Sequence, residues 1–432
     1  MIQDMYRGET SDFVLYTPTS ATFRAAAALR AVAATNPDTK PINLGLGDVR
    51  VGGPPSELHN CLSGLFDPGN GMCGYTPALG HPQMMSDIAA SLSAGRYHRL
   101  GALTADNLAV TCGGKHAYSL ALQLSRFLDT KLVATAPGWC TTIEADLAVM
   151  GRLSSFVVQT TIDENFFFTP NTIQRSYDQN GRVFVLIWPC VPAGTIPPRD
   201  QLEACFNKLL ELAKQDPRVV VIIDDPYQDL ILKPDAECPH WTEFESAQEL
   251  FESGLLLEAY SYSKRFRLAG VRLGYLLGHK KRMEGAKAIL ATLFGNPPTP
   301  LTKIVHTIET SVSQATADGL MGVVRTNADL IVRTMTTRCG LGVAARPEGG
   351  IYVLADVSNL IGQTGPSGEL MSSDQDVARE LLTDQLVGTI CGLDCNTDGT
   401  RGHFLRLATA MPHEEVQEGV NRIAAFVANC GH

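Results

Sequence analysis

Between Asn107 and Gly278 short apolar runs alternate with helical stretches, and this alternation constrains the fold more than any other property of the chain. The runs Asn107–Cys112 (NLAVTC), Lys131–Thr135, Arg182–Trp188 (RVFVLIW), Arg218–Asp224 (RVVVIID), Leu255–Tyr260 and Val271–Gly278 read as strands. Helical stretches from about Lys115 to Leu128, near Thr141 to Met150, and from Gln201 to Lys214 lie between them. Continuous Val/Ile/Leu strands are apolar on both faces, so both faces must be covered. The pattern predicts an α/β fold with a mostly parallel sheet sandwiched by helices.

After about Pro300 the pattern changes. A long helical stretch from Thr302 to about Arg338 leads to shorter strands, Gly350–Asp356 and His403–Ala408, and a final helix over Pro412–Asn429. A smaller α+β domain is expected there. At ~100–200 residues per domain, 432 residues make two or three domains. With 44% hydrophobic and only 19% charged residues the chain is not a disordered one.

The formal net charge is −10 and no dense basic run occurs, so neither nucleic acid nor an anionic membrane is an expected partner. No stretch approaches the ~20 apolar residues of a bilayer span, and the first residues lack the basic and apolar regions of a secretory signal. The 11 cysteines are scattered. The closest pair, Cys391 and Cys395, has no CxxC spacing or nearby His partner, so no metal is expected. Free thiols in a reducing cytoplasm are the simplest reading.

Open parallel sheets bind ligands beyond the C-terminal ends of their strands. Thr111-Cys-Gly-Gly-Lys115 is such an end, with a double glycine before a helix: an anion site or a plain tight turn. Asp224-Asp-Pro-Tyr227 closes the most apolar strand, where a carboxylate could hold a cationic ring nitrogen or cap the next turn. Ser261-Tyr-Ser-Lys264 puts a lysine between a strand and Arg272. A lysine amine forms an imine with an aldehyde when it is held close and partly deprotonated, and hydroxyls with a guanidinium suit a phosphate dianion.

In this order, over nearly the whole chain, these segments resemble the fold-type I pyridoxal-phosphate enzymes of the class I/II aminotransferase family. The Ser261–Arg272 segment is the most specific part. The resemblance implies pyridoxal 5'-phosphate as cofactor. It makes Lys264 the imine-forming lysine and proton shuttle, Asp224 the partner of the pyridine nitrogen, and Tyr227 the donor to the ring's 3-oxygen. Gly113, Gly114, Lys115, Ser261, Ser263 and Arg272 become the phosphate cup, and Trp139 the aromatic stacked on the ring. Arg406, in His403-Phe-Leu-Arg406, and the backbone N–H of Gly47 become the anchor of a substrate α-carboxylate. Tyr75 matches a tyrosine that reaches the phosphate of the other subunit, which implies a homodimer with shared active sites.

Gly47 and Arg406 lie near opposite ends of the chain, so the small domain is expected to be discontinuous. Residues 1–58 and 313–432 form it, around a large cofactor-binding domain of residues 59–312. The implied function is a cytoplasmic enzyme acting on an L-α-amino acid, either an aminotransferase with a 2-oxo acid as acceptor or an eliminating or bond-forming enzyme. The latter would resemble 1-aminocyclopropane-1-carboxylate synthases, with S-adenosylmethionine or a specialised amino acid as substrate. A transcription regulator with a DNA-binding domain ahead of an aminotransferase-like one is not expected, because the resemblance begins near Gly45 and no basic patch occurs.

Two departures stand out. The family's Asn-Pro-x-Gly turn is Val191-Pro-Ala-Gly194 here, and valine cannot donate to the cofactor's 3-oxygen. A hydrogen bond to a charged group contributes roughly 1.5–3 kcal/mol, so the pKa of the Lys264 imine is expected to be higher than in Asn-bearing relatives. The second departure is Ala291, which stands upstream of Phe294-Gly-Asn-Pro-Pro298 where aspartate aminotransferases carry a second arginine. A dicarboxylic substrate read by that arginine is not expected.

Overall fold

The computed structural model describes residues 20–64, 73–125, 130–139, 142, 155–313 and 319–431. After a short strand β1 (Ile42–Asn43), seven strands form the main sheet: β2 (Leu108–Cys112), β3 (Lys131–Ala136), β4 (Phe156–Gln159), β5 (Gly181–Leu186), β6 (Val220–Asp225), β7 (Leu256–Ser261) and β8 (Leu273–Gly278). Their order is β2-β8-β7-β6-β5-β3-β4; β8 runs antiparallel to both neighbours and the other pairs are parallel. Every residue of β5 to β8 is buried, as continuous apolar strands require.

Strand alternation sorts these residues into two cores. Val183, Val185, Ile222 and Leu257 pack with Ala117, Tyr118 and Ala121 of the helix Gly114–Leu124. Phe184, Leu186, Val221 and Ile223 pack on the other face, with Phe206 and Leu209 of the helix Arg199–Gln215.

The remaining strands are β9 (Gly342–Val343), β10 (Tyr352–Asp356), β11 (Val387–Gly388), β12 (Ile390–Cys391) and β13 (Phe404–Ala408). An antiparallel sheet of order β12-β13-β10-β9 forms from four of them, while β11 pairs in parallel with β1. Helices Met321–Thr337 and His413–Asn429 contribute to this sheet's core, which also takes in Ile42, Leu44 and Val49. Ala28, Leu29 and Val32 of the helix Ala21–Ala34 pack on Leu382 and Leu386.

One expected element divides in two. In place of a single helix from Thr302 to Arg338, the described residues form two, Thr299–Ser311 and Met321–Thr337. The reason is that their apolar stripes serve different cores: Ile304, Val305 and Ile308 join the main-sheet core, Val324, Leu330 and Ile331 the small-sheet core. Apart from Thr142, the expected helix near Thr141 to Met150 lies outside the described residues. Among the described residues no helix is long and apolar enough to cross a membrane, and the ten cysteines described are free thiols.

Candidate active site

A cavity of about 580 Å³ opens beyond the C-terminal ends of β2, β6 and β7. Asp224 faces it from the end of β6. The side chain is buried, and among the described residues nothing hydrogen-bonds to it. Burial first, then the charge of Asp225, pushes its pKa up to about 8, against an opposing pull from Lys115. An unpartnered carboxyl of this kind suits a cation delivered by a ligand.

Lys264 enters the same cavity from the turn after β7, and its Nζ donates to the carbonyl oxygen of Gly47. Burial lowers its pKa to about 8, aided by the positive charges of Arg406, Arg272 and Lys115 and opposed by Asp48. A sizeable share of the amine is therefore neutral near pH 8, the state in which it attacks an aldehyde. Tyr227 is buried, with its Oη 3.1 Å from that of Tyr352. Its pKa is driven well up by burial first and then by Tyr352, so the hydroxyl remains a donor.

The double glycine forms a cup. Gly113 (φ +84°) precedes the helix Gly114–Leu124, whose first backbone N–H groups and dipole favour an anion. A Cβ on Gly113 would sit 2.6 Å from Arg272 Nη2, and one on Gly114 2.9 Å from Ser261 Cβ. Only glycines let the guanidinium and the serine close on the helix end. Arg272 itself holds a left-handed backbone (φ +63°), which is strained for a side chain of its size, and its Nη1 donates to Ala269 O at 2.8 Å. Ser261 and Ser263 line the same end, and the Ser263 N–H donates to Ser261 Oγ at 3.3 Å. Lys115 Nζ lies 5.8 Å from the ring of Trp139, which is half-buried on the cavity wall.

The opposite wall comes from the distant ends of the chain. Buried Arg406, on β13, donates from Nη2 to Gly45 O at 2.6 Å. Its guanidinium lies 4.5 Å from the ring of Tyr352. A Cβ on Gly47 would collide with Tyr352 Oη, so any other residue there must push the Tyr352 hydroxyl aside. Val191 lines the cavity as a buried apolar side chain.

Two of the residues singled out from sequence stand apart. Gly113 lies behind Arg272 rather than on the wall, and Tyr75 is 95% exposed and outside the cavity. Conversely Tyr352, Asp48, Thr22 and Phe23 line the cavity without having been expected there. The pairing of β10 with β13 sets Leu354 opposite Arg406, so Tyr352, two residues along, shares the arginine's face. No local motif marks that relation. Asp48 had a signal in its position next to Gly47.

The chemistry of these groups fits pyridoxal phosphate: an amine for its aldehyde, a buried carboxyl for its ring nitrogen, a phenol for its 3-oxygen and a cationic, N–H-lined cup for its phosphate. The sequence profile of the family described as aminotransferase class I and II matches residues 39–423. The chain belongs to this family. It is a pyridoxal-phosphate-dependent enzyme of amino-group transfer. Among curated relatives of this aminotransferase, the probable aspartate/prephenate aminotransferase of Rhizobium leguminosarum bv. phaseoli is 25% identical over 90% of this chain and 92% of its own. The valine–pyruvate aminotransferase of Mycobacterium tuberculosis is 24% identical over 89% and 91%. In fold the enzyme is similar to the aspartate aminotransferase of Thermus thermophilus solved with maleate (TM-score 0.79, 22% identity, 97% of this chain and 99% of that one).

Proposed function

We propose that the enzyme moves the amino group of an L-α-amino acid to a 2-oxo acid, using the cavity residues in the roles the family resemblance gives them. The observation that carries this reading is the meeting of three groups in one cavity: a partly neutral lysine, an unpartnered buried carboxyl and a buried arginine. When bound, pyridoxal phosphate supplies an aldehyde and a ring that draws electrons from the substrate Cα. Asp224 would hold the proton on the ring nitrogen, Tyr227 would donate to the 3-oxygen, and Trp139 would cover the ring. The phosphate is held by the N–H groups behind Gly113 and Gly114 and by Lys115, Ser261, Ser263 and Arg272. Arg406 and the Gly47 N–H would hold the substrate carboxylate and so orient the substrate Cα. The Lys264 amine would move a proton at the substrate Cα.

The acceptor is a 2-oxo acid. That the substrate side chain carries no second carboxylate is supported by Ala291, which is exposed on the helix Lys280–Leu293 and offers no charge. The enzyme works as a cytoplasmic homodimer in which Tyr75, exposed in one subunit, reaches the phosphate of the other. Its two domains are residues 59–312 and a discontinuous small domain of residues 1–58 and 313–432. The pairing of β1 with β11 and the Arg406–Gly45 hydrogen bond support that division.

Val191 on the cavity wall favours a second reading, elimination or bond formation on the same cofactor. The test is to mix holoenzyme with single amino acids and no acceptor. Conversion of the cofactor to its pyridoxamine form with release of a 2-oxo acid is expected. Absence of conversion with every amino acid tried, together with turnover of S-adenosylmethionine, would replace transamination by the second reading.

A further inference from the structure

Val191 cannot donate a hydrogen bond, yet the wall it shares with Tyr227 is not short of donors. Tyr352 is buried, and its Oη lies 3.1 Å from Tyr227 Oη. A tyrosine hydroxyl has one proton to give and lone pairs to accept with. If Tyr227 gives its proton into the cavity, it must accept at Tyr352, so Tyr352 is the donor of this pair. We propose that Tyr352 is a positioning residue that replaces the missing Asn function at Val191: it donates to Tyr227 and strengthens Tyr227 as donor to the 3-oxygen. The proposal rests on the role given to Tyr227 above.

Three features hold Tyr352 to this task. The Arg406 guanidinium, 4.5 Å from its ring, draws charge from the phenol and makes its hydroxyl a better donor. Linked donors polarise one another in a dry site, so the second hydroxyl strengthens the first. The hydroxyl occupies the space a side chain on Gly47 would need, so that glycine keeps room for it. The charged groups that face the pair are Arg406, Asp224 and Lys264. Val191 sits on the same cavity wall as a space-filling apolar group.

The experiment is a pH titration of the cofactor absorption band of holoenzyme. Tyr352→Phe is expected to raise the band's pKa by about half to one unit, the size of one lost neutral hydrogen bond. Contrary to the expectation from sequence of a raised imine pKa, Val191→Asn is then expected to shift the band little in the wild type, where Tyr352 already fills that role, and to bring it back down in the Tyr352→Phe background. In a Tyr227→Phe background, Tyr352→Phe should cause no further shift, because its effect passes through Tyr227. A Tyr352→Phe band that titrates as the wild type does overturns the proposal. So does a Val191→Asn shift that is equal with and without Tyr352. A wild-type protein without a titrating band contradicts the cofactor role of Tyr227 itself, and is thereby told apart from failure of this inference alone.

Discussion

Asp224 and Asp225 are neighbours at the end of one buried strand, yet their surroundings are opposite. Asp224 points with Ile222 toward the helix Gly114–Leu124 and the cavity, where no described group bonds to it. Asp225 points with Ile223 to the other face, where the Arg96 guanidinium pairs with it and the Gln228 N–H donates to it at 3.1 Å. Lys264 and Arg265 repeat the contrast. Lys264 faces the cavity, while Arg265 pairs with Asp229 at 2.9 Å, and Asp229 is shared with Arg96 at 2.8 Å. The atoms of Asp225, His240 and Glu258 cluster closely enough to suggest a metal, but Arg96 already brings a cation to that cluster. Stability alone would pair both faces. Leaving one face unpaired is what a site built for a charged ligand requires.

Substitutions on the two faces should therefore fail in different ways. The largest effect is expected for Lys264→Ala, which should lower turnover by at least about 10³-fold and abolish the cofactor's attachment band. Arg265→Met should keep the band and lose stability instead. Asp224→Asn removes a charge facing the ring nitrogen. A loss of about 3–4 kcal/mol, or roughly 10²–10³-fold in kcat, is expected with no loss of apoprotein stability. Asp225→Asn should retain the band and lose about 1–3 kcal/mol on denaturant unfolding, since Arg96 keeps Asp229. Equal activity losses from the two aspartates would break the contrast.

The apoprotein's pH dependence sharpens the same point. Folding raises the pKa of Asp224 from 3.8 to about 8, so its contribution to stability is full below 3.8 and is lost as pH rises toward 8. Folding lowers the pKa of Lys264 from 10.5 to about 8, so its contribution is full above 10.5 and is lost as pH falls toward 8. Both contributions are least near pH 8. Melting temperatures across pH should show Asp224→Asn flattening the acid limb and Lys264→Met the alkaline limb.

A smaller effect is expected for Gly47→Ala, whose Cβ displaces Tyr352 Oη. KM for the amino acid should rise about tenfold with a lesser change in kcat, since the wall of the carboxylate site moves.

What could be read from sequence follows the range of the forces involved. The main strands were legible because each carries its own burial pattern, as with Val220–Asp225. The cavity residues on strand ends, Asp224, Ser261 and Lys264, followed because their motif is contiguous. Tyr352 was not legible, since its tie to Arg406 is set by sheet register rather than by spacing. Nor was the break after Ser311, because apolar periodicity does not say which core a stripe will join. The charge balance behind the sheet was equally hidden: Arg96 meets Asp225 across 129 residues of sequence. The net charge of −10, for its part, says nothing of a cavity that gathers Lys115, Lys264, Arg272 and Arg406.

The central claim is that this cavity holds pyridoxal phosphate on Lys264. Borohydride reduction of the holoenzyme, followed by digestion and peptide mass measurement, tests it most directly. The reduced cofactor is expected on the peptide that contains Lys264 and on no other. A label on Lys115, the other lysine lining the cavity among the described residues, or protein that takes up no label at all would contradict it.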